Sequence, residues 1–240
     1  MTRPPIRADH RFMLIDHFPL VGLRITTPRL QLRLPDAEEL ATLADVAADG
    51  VHDPAYMPFR IRWTELPPAE RARSVVLHHW GLLGQWTPKA WKLPLTVFHE
   101  GAPVGMQMLK ATDLAVTAEC ATASWLGLRH QRQGVGAEMR AAVAHLAFIH
   151  LGATDLVSAA FTDNVSSLGV SAKLGYAHDG IERHDDQGRL RVIRRLRLSR
   201  QAWQERDRPP VTVEGLAPCL PLLGLADGPP SDQDRPATTE

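Results

Sequence analysis

Between residues 119 and 151 the chain passes from a strand pattern to a helix pattern across two glycines, and this junction constrains the fold more than any other stretch. ECATASWLGL reads as a strand, and QRQGVGAEMRAAVAHL follows at residues 131–146, with Gly134 and Gly136 directly ahead of an amphipathic helix that runs to Leu151 and stops at Gly152. Glycine lacks a Cβ, so its backbone can take positive φ and come close to a ligand. The N-terminus of a helix carries unpaired N–H groups and a partial positive charge, which suits phosphate oxygens. Glu138 in the first turn and His150 in the last agree with the helix dipole. The junction therefore reads as a pyrophosphate cradle, or more simply as a strand-to-helix turn that contains glycine. It is not the dinucleotide fingerprint, which needs a third glycine, nor the nucleotide P-loop, which needs Gly-Lys-Ser/Thr.

The elements around the junction narrow the architecture. RLQLRL at residues 29–34 alternates as a half-buried strand does. Asp36, with Glu39 three residues on, starts a helix in capping-box fashion, and Gly50 closes it. A second helix is predicted from Pro67 to about Gln85, followed by a loop bracketed by Pro88 and Pro94. LPLTVFHEGAPVGMQML is a hairpin turning at Glu100-Gly101. DLVSAAF reads as a strand, NVSSLGVSAKLGY as a short helix ending at Gly175, and two last strands flank Gln187-Gly188. This mixed α/β order suits a central sheet covered by helices. Residues 1–20 show no period and predict an extended arm, residues 21–206 the domain, and residues 207–240 a Pro/Gly-rich tail. The last dozen residues of that tail are expected to be disordered, whereas residues 216–225 are apolar enough to pack onto the domain or a partner.

Composition excludes several classes. The 240 residues carry 27 Lys+Arg against 27 Asp+Glu, and this zero balance argues against bulk nucleic-acid binding. RRLRLSR, at residues 194–200, accordingly reads as an outer strand with one wet face. Cys120 and Cys219 suggest neither a disulfide framework nor a zinc module. The eleven histidines show no HExxH or other metal-ligand spacing, so no metal is expected. With no apolar run near the ~18 residues of a membrane span and no signal-type segment, the expectation is a soluble cytoplasmic protein.

Gln131-x-x-Gly134-x-Gly136 before a helix, with Asn164-x-x-Ser167 and Lys173-Leu174-Gly175-Tyr176 further on, resembles the acyl-CoA-binding pattern of the GNAT superfamily of N-acyltransferases. The second motif and TPRLQLRL, at residues 27–34, are similar to its ribosomal-protein-alanine acetyltransferase-like branch, so the resemblance spans about residues 25–200. LRITTPRLQL, GVHDPAYMPF and SWLGLRHQRQGVGAEMRAAV further resemble an actinobacterial subgroup that includes a mycobacterial succinyltransferase. The resemblance implies a mostly antiparallel twisted sheet of about seven strands, splayed at the acyl-CoA site and flanked by helices.

It also implies roles. The pantetheine arm would enter between the strand before the glycine loop and the strand at residues 155–161. Gln131 opens the motif, and backbone N–H groups of Gln133, Gly134, Val135, Gly136 and Ala137 would take the pyrophosphate. Arg129 and Arg132 would add charge near the 3′-phosphate, or are solvated surface arginines. The backbone around Trp125, Leu126 and Leu128 would polarise the thioester carbonyl. Asn164 would hydrogen-bond the pantetheine arm while also capping the short helix. The attacking amine, protonated at neutral pH with a pKa near ~10.4, needs a base, direct or through water. Glu119, with Asp113 upstream, is the nearest carboxylate, although both also read as solvated strand-end groups. Many relatives place a Tyr four residues before the helix-ending glycine to protonate the departing thiolate; here that position is Ser171, which puts this mechanism in doubt. Ser167 becomes the candidate acid and Ser171 the second; as a poor acid, a serine would rather position water or the sulfur.

Acetyl-CoA and succinyl-CoA are the candidate donors. A succinyl carboxylate needs a cationic pocket, for which His52, Arg60 and Arg62 in GVHDPAYMPFRIRW are candidates. Trp63, Trp80, Trp86 and Trp91 either wall an acceptor site or belong to the core. The acceptor is expected to be an amine on a small molecule or a protein, because acceptor loops vary while the CoA frame stays. Two other readings remain: a non-catalytic acyl-CoA-binding module, and an interaction protein or homodimer built on the apolar part of the tail.

Overall fold

The structure, a computed structural model, describes residues 13–226 and 228; the expectations for residues 1–12 and for the end of the tail lie outside the described residues. Where the sequence suggests an extended arm, Leu14–His17 form a helical turn, α1, and Pro19–Gly22 a 3-10 turn whose Leu20 is fully buried. Then follow β1 (Arg24–Thr26), β2 (Leu30–Arg33), α2 (Ala37–Asp49), α3 (Pro68–Gly84), β3 (Ala90–His99), β4 (Ala102–Thr112) and α4 (Leu114–Thr117). The second half consists of β5 (Glu119–Leu126), α5 (Val135–His145), β6 (Asp155–Phe161), α6 (Val165–Leu174), β7 (Ala177–Asp186), β8 (Arg189–Ser199), α7 (Arg200–Gln204) and β9 (Thr212–Glu214).

The strands form one sheet in the order β7-β8-β6-β5-β4-β3-β2-β1-β9, antiparallel throughout except between β5 and β6. These nine strands include two short additions to the expected set, the three-residue β1 and β9. Asp36 caps α2 as its sequence predicts, its carboxylate accepting from Glu39 N at 2.8 Å while Glu39 accepts from Asp36 N at 2.9 Å. Pro94 lies inside β3 rather than bounding a loop. The reason is local: β2 pairs with β3 only over residues 96–99, so residues 90–95 form an edge toward that side, where a missing N–H costs no ladder bond.

Alternation along β5 assigns the two faces of the sheet. Cys120 and Leu126 join the large core under α5, with Met139, Val143, Phe148 and Leu95. Trp125 points the other way, into a smaller cluster formed by Leu40, Leu43, Val75 and Trp63 of the α2–α3 side. Cys219, Leu223 and Leu225 also join the large core, so the apolar part of the tail packs onto this domain. Trp86 and Trp91, stacked with ring centroids 5.8 Å apart, anchor that segment by donating to the carbonyls of Leu222 (2.8 Å) and Leu223 (3.1 Å). Trp80 is exposed. No helix among the described residues is long and apolar enough to cross a membrane.

Because Leu223 is fully buried, Leu223→Ala is expected to lower the unfolding free energy by about 2–5 kcal/mol in a denaturant titration. No loss would mean that the segment does not contribute to the core.

Candidate functional site

The feature that creates a site is a fork in the sheet. β5 and β6 pair only at Glu119–Asp155, Cys120–Leu156 and Ala121–Val157. Beyond that point residues 122–126 stay with β4 and residues 158–161 stay with β8, so the two facing edges separate. Both strands run toward the open end, and α5 and α6 start there. The closed end is clamped by Arg197, which reaches Glu119 at 2.7 Å and Asp155 and Asp179 at 3.3 Å each.

At the open end the glycine loop carries out what its sequence predicts. Gly134 takes φ 81°, in the left-handed region, and is the residue ahead of α5. Arg132 also takes positive φ, 61°, which turns the chain sharply before the helix. The backbone N–H groups of Gln133, Gly134, Val135 and Gly136 find no acceptor among the described residues, whereas those of Ala137 and Glu138 both donate to Gly134 O at 3.1 Å. A Cβ on Gly136 would point at Val170 Cγ2 (3.6 Å) and Leu126 Cδ1 (3.7 Å), so this glycine opens the gap between α5 and α6. Four consecutive bare donors at a helix N-terminus form an anion cradle.

A second residue pair, missed in the sequence, holds the cradle in place. Glu138 accepts from Thr27 Oγ1 (2.7 Å), Arg29 N (3.2 Å) and Arg29 Nε (2.7 Å). Arg29 also donates to Gln133 O at 3.0 Å, so β2 grips both the loop and the first turn of α5. Burial alone would raise the Glu138 carboxyl pKa, but the bonds from Thr27 and Arg29 outweigh it and hold the group below its ordinary value. The only sequence signal was the Thr-x-Arg before β2, whose partner lies 109 residues away.

The other expected residues take varied places. Gln131 is a brace, not a donor to the cradle: its side-chain amide donates to Val51 O (2.7 Å) and Leu126 O (2.9 Å). Arg129 pairs with Asp49 at 2.6 Å on the surface, while Arg132 is exposed at the loop. Trp125 packs on Trp63, and Leu126 and Val135 are buried. Leu128 is half exposed, its N–H donating to Gly50 O at 3.0 Å. Asn164 caps α6, accepting from Ser167 N at 3.0 Å, and its NH2 group stays available. The Ser167 hydroxyl is partly buried and makes no hydrogen bond with the described residues. Ser171 is different: it is 1% exposed, donates to Ser167 O at 3.0 Å and accepts from Arg140 at 2.8 Å, so its proton is already committed within α6. Glu119 sits at the closed end of the fork in its ion pair with Arg197, away from the cradle.

The loop at residues 50–65 also departs from expectation. Arg60 makes two 2.6 Å bonds to Glu182, and Arg62 reaches Asp186 at 2.7 Å and Glu65 at 2.7 Å. His52 lies 2.8 Å from Asp53 O and 2.7 Å from Thr64 Oγ1. These three residues fasten the loop to itself and to the β7–β8 hairpin, so they do not present an uncompensated cationic pocket. Among the described residues no group of three or more His, Cys, Asp or Glu is arranged to hold a metal ion.

Glu138→Gln is expected to cost about 1–3 kcal/mol at neutral pH, the worth of charge-assisted bonds at this junction. Since the folded pKa of Glu138 is depressed, its contribution is present above the ordinary carboxylate range and lost as pH falls through the folded value. The gap between wild type and Glu138→Gln in denaturant unfolding therefore closes on acidification; a gap that widened would contradict this linkage.

An acetyltransferase (GNAT) domain family model matches residues 29–177, more than half of the chain. Among solved structures, Mycobacterium smegmatis RimJ in complex with CoA-disulfide is 17% identical over 73% of this chain and 85% of its own, with a TM-score of 0.57. RimL, a ribosomal alpha-N-protein acetyltransferase in complex with coenzyme A, is 14% identical over 72% of this chain and 95% of its own, with a TM-score of 0.57. A chimera of spermidine N-acetyltransferase from Vibrio cholerae is 15% identical over 74% of this chain and 99% of its own, with a TM-score of 0.56. At these identities the structural likeness speaks for the fold, and the family match speaks for the lineage. The chain belongs to the GNAT acetyltransferase family.

Proposed function

We propose that the protein is an acyl-CoA-dependent N-acyltransferase that transfers an acyl group from a CoA thioester to an amine by direct attack in a ternary complex. The observation that carries this reading is the row of four bare N–H groups at the head of α5, set beside the open fork. They would hold the pyrophosphate, with Arg132 beside them for the 3′-phosphate. The unpaired edges of residues 122–126 and 158–161 would take the pantetheine arm, and the free NH2 of Asn164 would donate to it. Backbone groups from Trp125 to Leu128 would polarise the carbonyl as charge develops on its oxygen. On this reading residues 21–206 carry the acyltransferase site, and the segment through Leu225 completes the sheet and core beneath it.

Of the serines, Ser167 keeps a free hydroxyl and is the candidate to position water or the departing sulfur. Glu119, on the same face of β5 as Trp125 and shared with Arg197, is the candidate base, acting through water. The ion pairs at Arg60 and Arg62 remove the free cations that would recognise a succinyl carboxylate, so acetyl-CoA is the favoured donor. We also place the chain in the ribosomal-protein-alanine acetyltransferase-like branch, near the actinobacterial subgroup its sequence resembles. RimL and the spermidine enzyme bear names of amine acetylation, which supports an amine acceptor on a protein or a polyamine-like small molecule.

Gly136 separates binding from folding, because a Cβ there meets only ordinary contacts and its φ is unremarkable. Gly136→Ala, whose Cβ the fold accepts, is expected to weaken CoA binding by calorimetry about tenfold, ~1.4 kcal/mol, with little change in melting temperature. Unchanged affinity would sink the cradle. Thiol release with amines, compared between acetyl-CoA and succinyl-CoA, then tests transfer; CoA binding without release from any amine would favour a sensing module. Ser167→Ala at undiminished turnover would remove Ser167 from the chemistry.

A further inference from the structure

Among the described residues, one buried charge lacks a counter-charge. Arg140, the sixth residue of α5, is 5% exposed. Among the described residues its side chain makes one hydrogen bond, from Nη1 to the Ser171 hydroxyl at 2.8 Å, and its Nε has no partner. Burial lowers its pKa, and the one titratable neighbour that acts on it among the described residues is the Tyr176 phenol, itself neutral at ordinary pH. No carboxylate among the described residues pairs with it. A guanidinium removed from water and offered one neutral hydroxyl is expensive, and an apolar side chain of similar size would fill the space without that cost. Tyr176 lies beside it, and its hydroxyl faces Thr122 Oγ1 without reaching ordinary hydrogen-bond geometry, so neither buried oxygen offers Arg140 a charge.

Their position is informative. Thr122 is the first β5 residue beyond the last β5–β6 pair, so it lies where the fork opens. Arg140 follows Gly136 by four residues, hence on the same side of α5, about 6 Å deeper along the helix. Gly136 faces α6 through Val170 and Arg140 faces it through Ser171. The unpaired cation therefore lies between α5 and α6, inward of the cradle and on the sheet face of Thr122, where the fork opens. Neighbouring titratable groups stay neutral: burial pushes Tyr176 and Cys120 up to about 12 each.

We propose that Arg140 holds the departing sulfur of the acyl donor as a thiolate. This rests on the acyl-CoA reading. Two atoms of the donor acquire negative charge during transfer: the carbonyl oxygen, which the backbone from Trp125 to Leu128 would meet, and the sulfur, which ends the otherwise uncharged pantetheine arm. The amine nitrogen bonds to the carbonyl carbon, the carbon–sulfur bond breaks with its electron pair going to sulfur, and the amine proton leaves to a base or water. A guanidinium, which stays protonated at any working pH, offers sulfur a charge-assisted donor in place of a proton. Ser171 fixes the guanidinium by accepting from Nη1 while its own hydroxyl donates to Ser167 O. The residue at the position where relatives carry a Tyr acid would thus be an orienting group.

The test compares binding of CoA and of desulfo-CoA to the wild type, Arg140→Met and Arg140→Lys over a range of pH. In the wild type the bound thiol is expected to titrate at least one unit below the ~8.5 of a free thiol. CoA affinity, relative to desulfo-CoA, then rises about tenfold or more with pH through that window and levels off above the free value. Arg140→Met, which replaces an unpaired buried charge by an apolar chain, is expected to fold and to lose the pH dependence; Arg140→Lys keeps part of it. A wild-type thiol titrating at or above the free value overturns the proposal whatever the variants do, and so does equal pH dependence in wild type and Arg140→Met. Failure of the wild type to bind either ligand would instead overturn the acyl-CoA reading itself.

Discussion

Three residue pairs between β5 and β6 hold the molecule's two half-sheets together, and everything around the site follows from where that pairing stops. Parallel strands cannot be joined by a tight turn, so α5 has to cross over between them. Each strand keeps its outer neighbour, β4 for one and β8 for the other, and the split therefore costs only the bonds across the gap. Arg197, reaching carboxylates of β5, β6 and β7 at once, fastens the closed end. The open end is left with unpaired backbone edges and two helix N-termini, which is an arrangement that asks for a ligand.

The charges are distributed so that the cradle itself stays free. Glu138 lies in the first turn of α5, where its negative charge would otherwise compete for the N–H groups. Arg29 and Thr27 draw it to the β2 side, away from the glycine loop, and neutralise it there. Four residues after Gly136, Arg140 is left without a negative partner among the described residues. The helix thus presents bare donors at its head and a lone cation further in, one suited to phosphates and the other to a smaller, later charge.

Ion pairing also explains why the loop at residues 50–65 resisted a reading from composition. His52, Arg60 and Arg62 are the residue types a carboxylate pocket needs; His52 and Arg62 find local partners in Asp53, Thr64 and Glu65, but nothing nearby announces the rest. Glu182 and Asp186 arrive from the β7–β8 hairpin, 122 and 124 residues away. Such long-range partners are invisible to any window along the chain. The same holds for Ser171, whose burial depends on a guanidinium from another helix.

Local features of the sequence determined the order of elements, the Asp36 capping box, the Gly175 helix stop and the glycine loop before α5, because propensity, capping and positive φ act over a few residues. They also carried the family, since the spacing of Gly134, Gly136, Asn164 and Ser167 survives as a string. Only the tertiary structure decided that Pro94 sits on a free edge inside β3, that the tail segment around Leu223 completes the core, and which charged groups are already paired. It alone left Arg140 buried and unpaired beside the fork. Register, burial and electrostatic compensation are set by residues a hundred positions apart meeting in space, and no local pattern encodes that meeting.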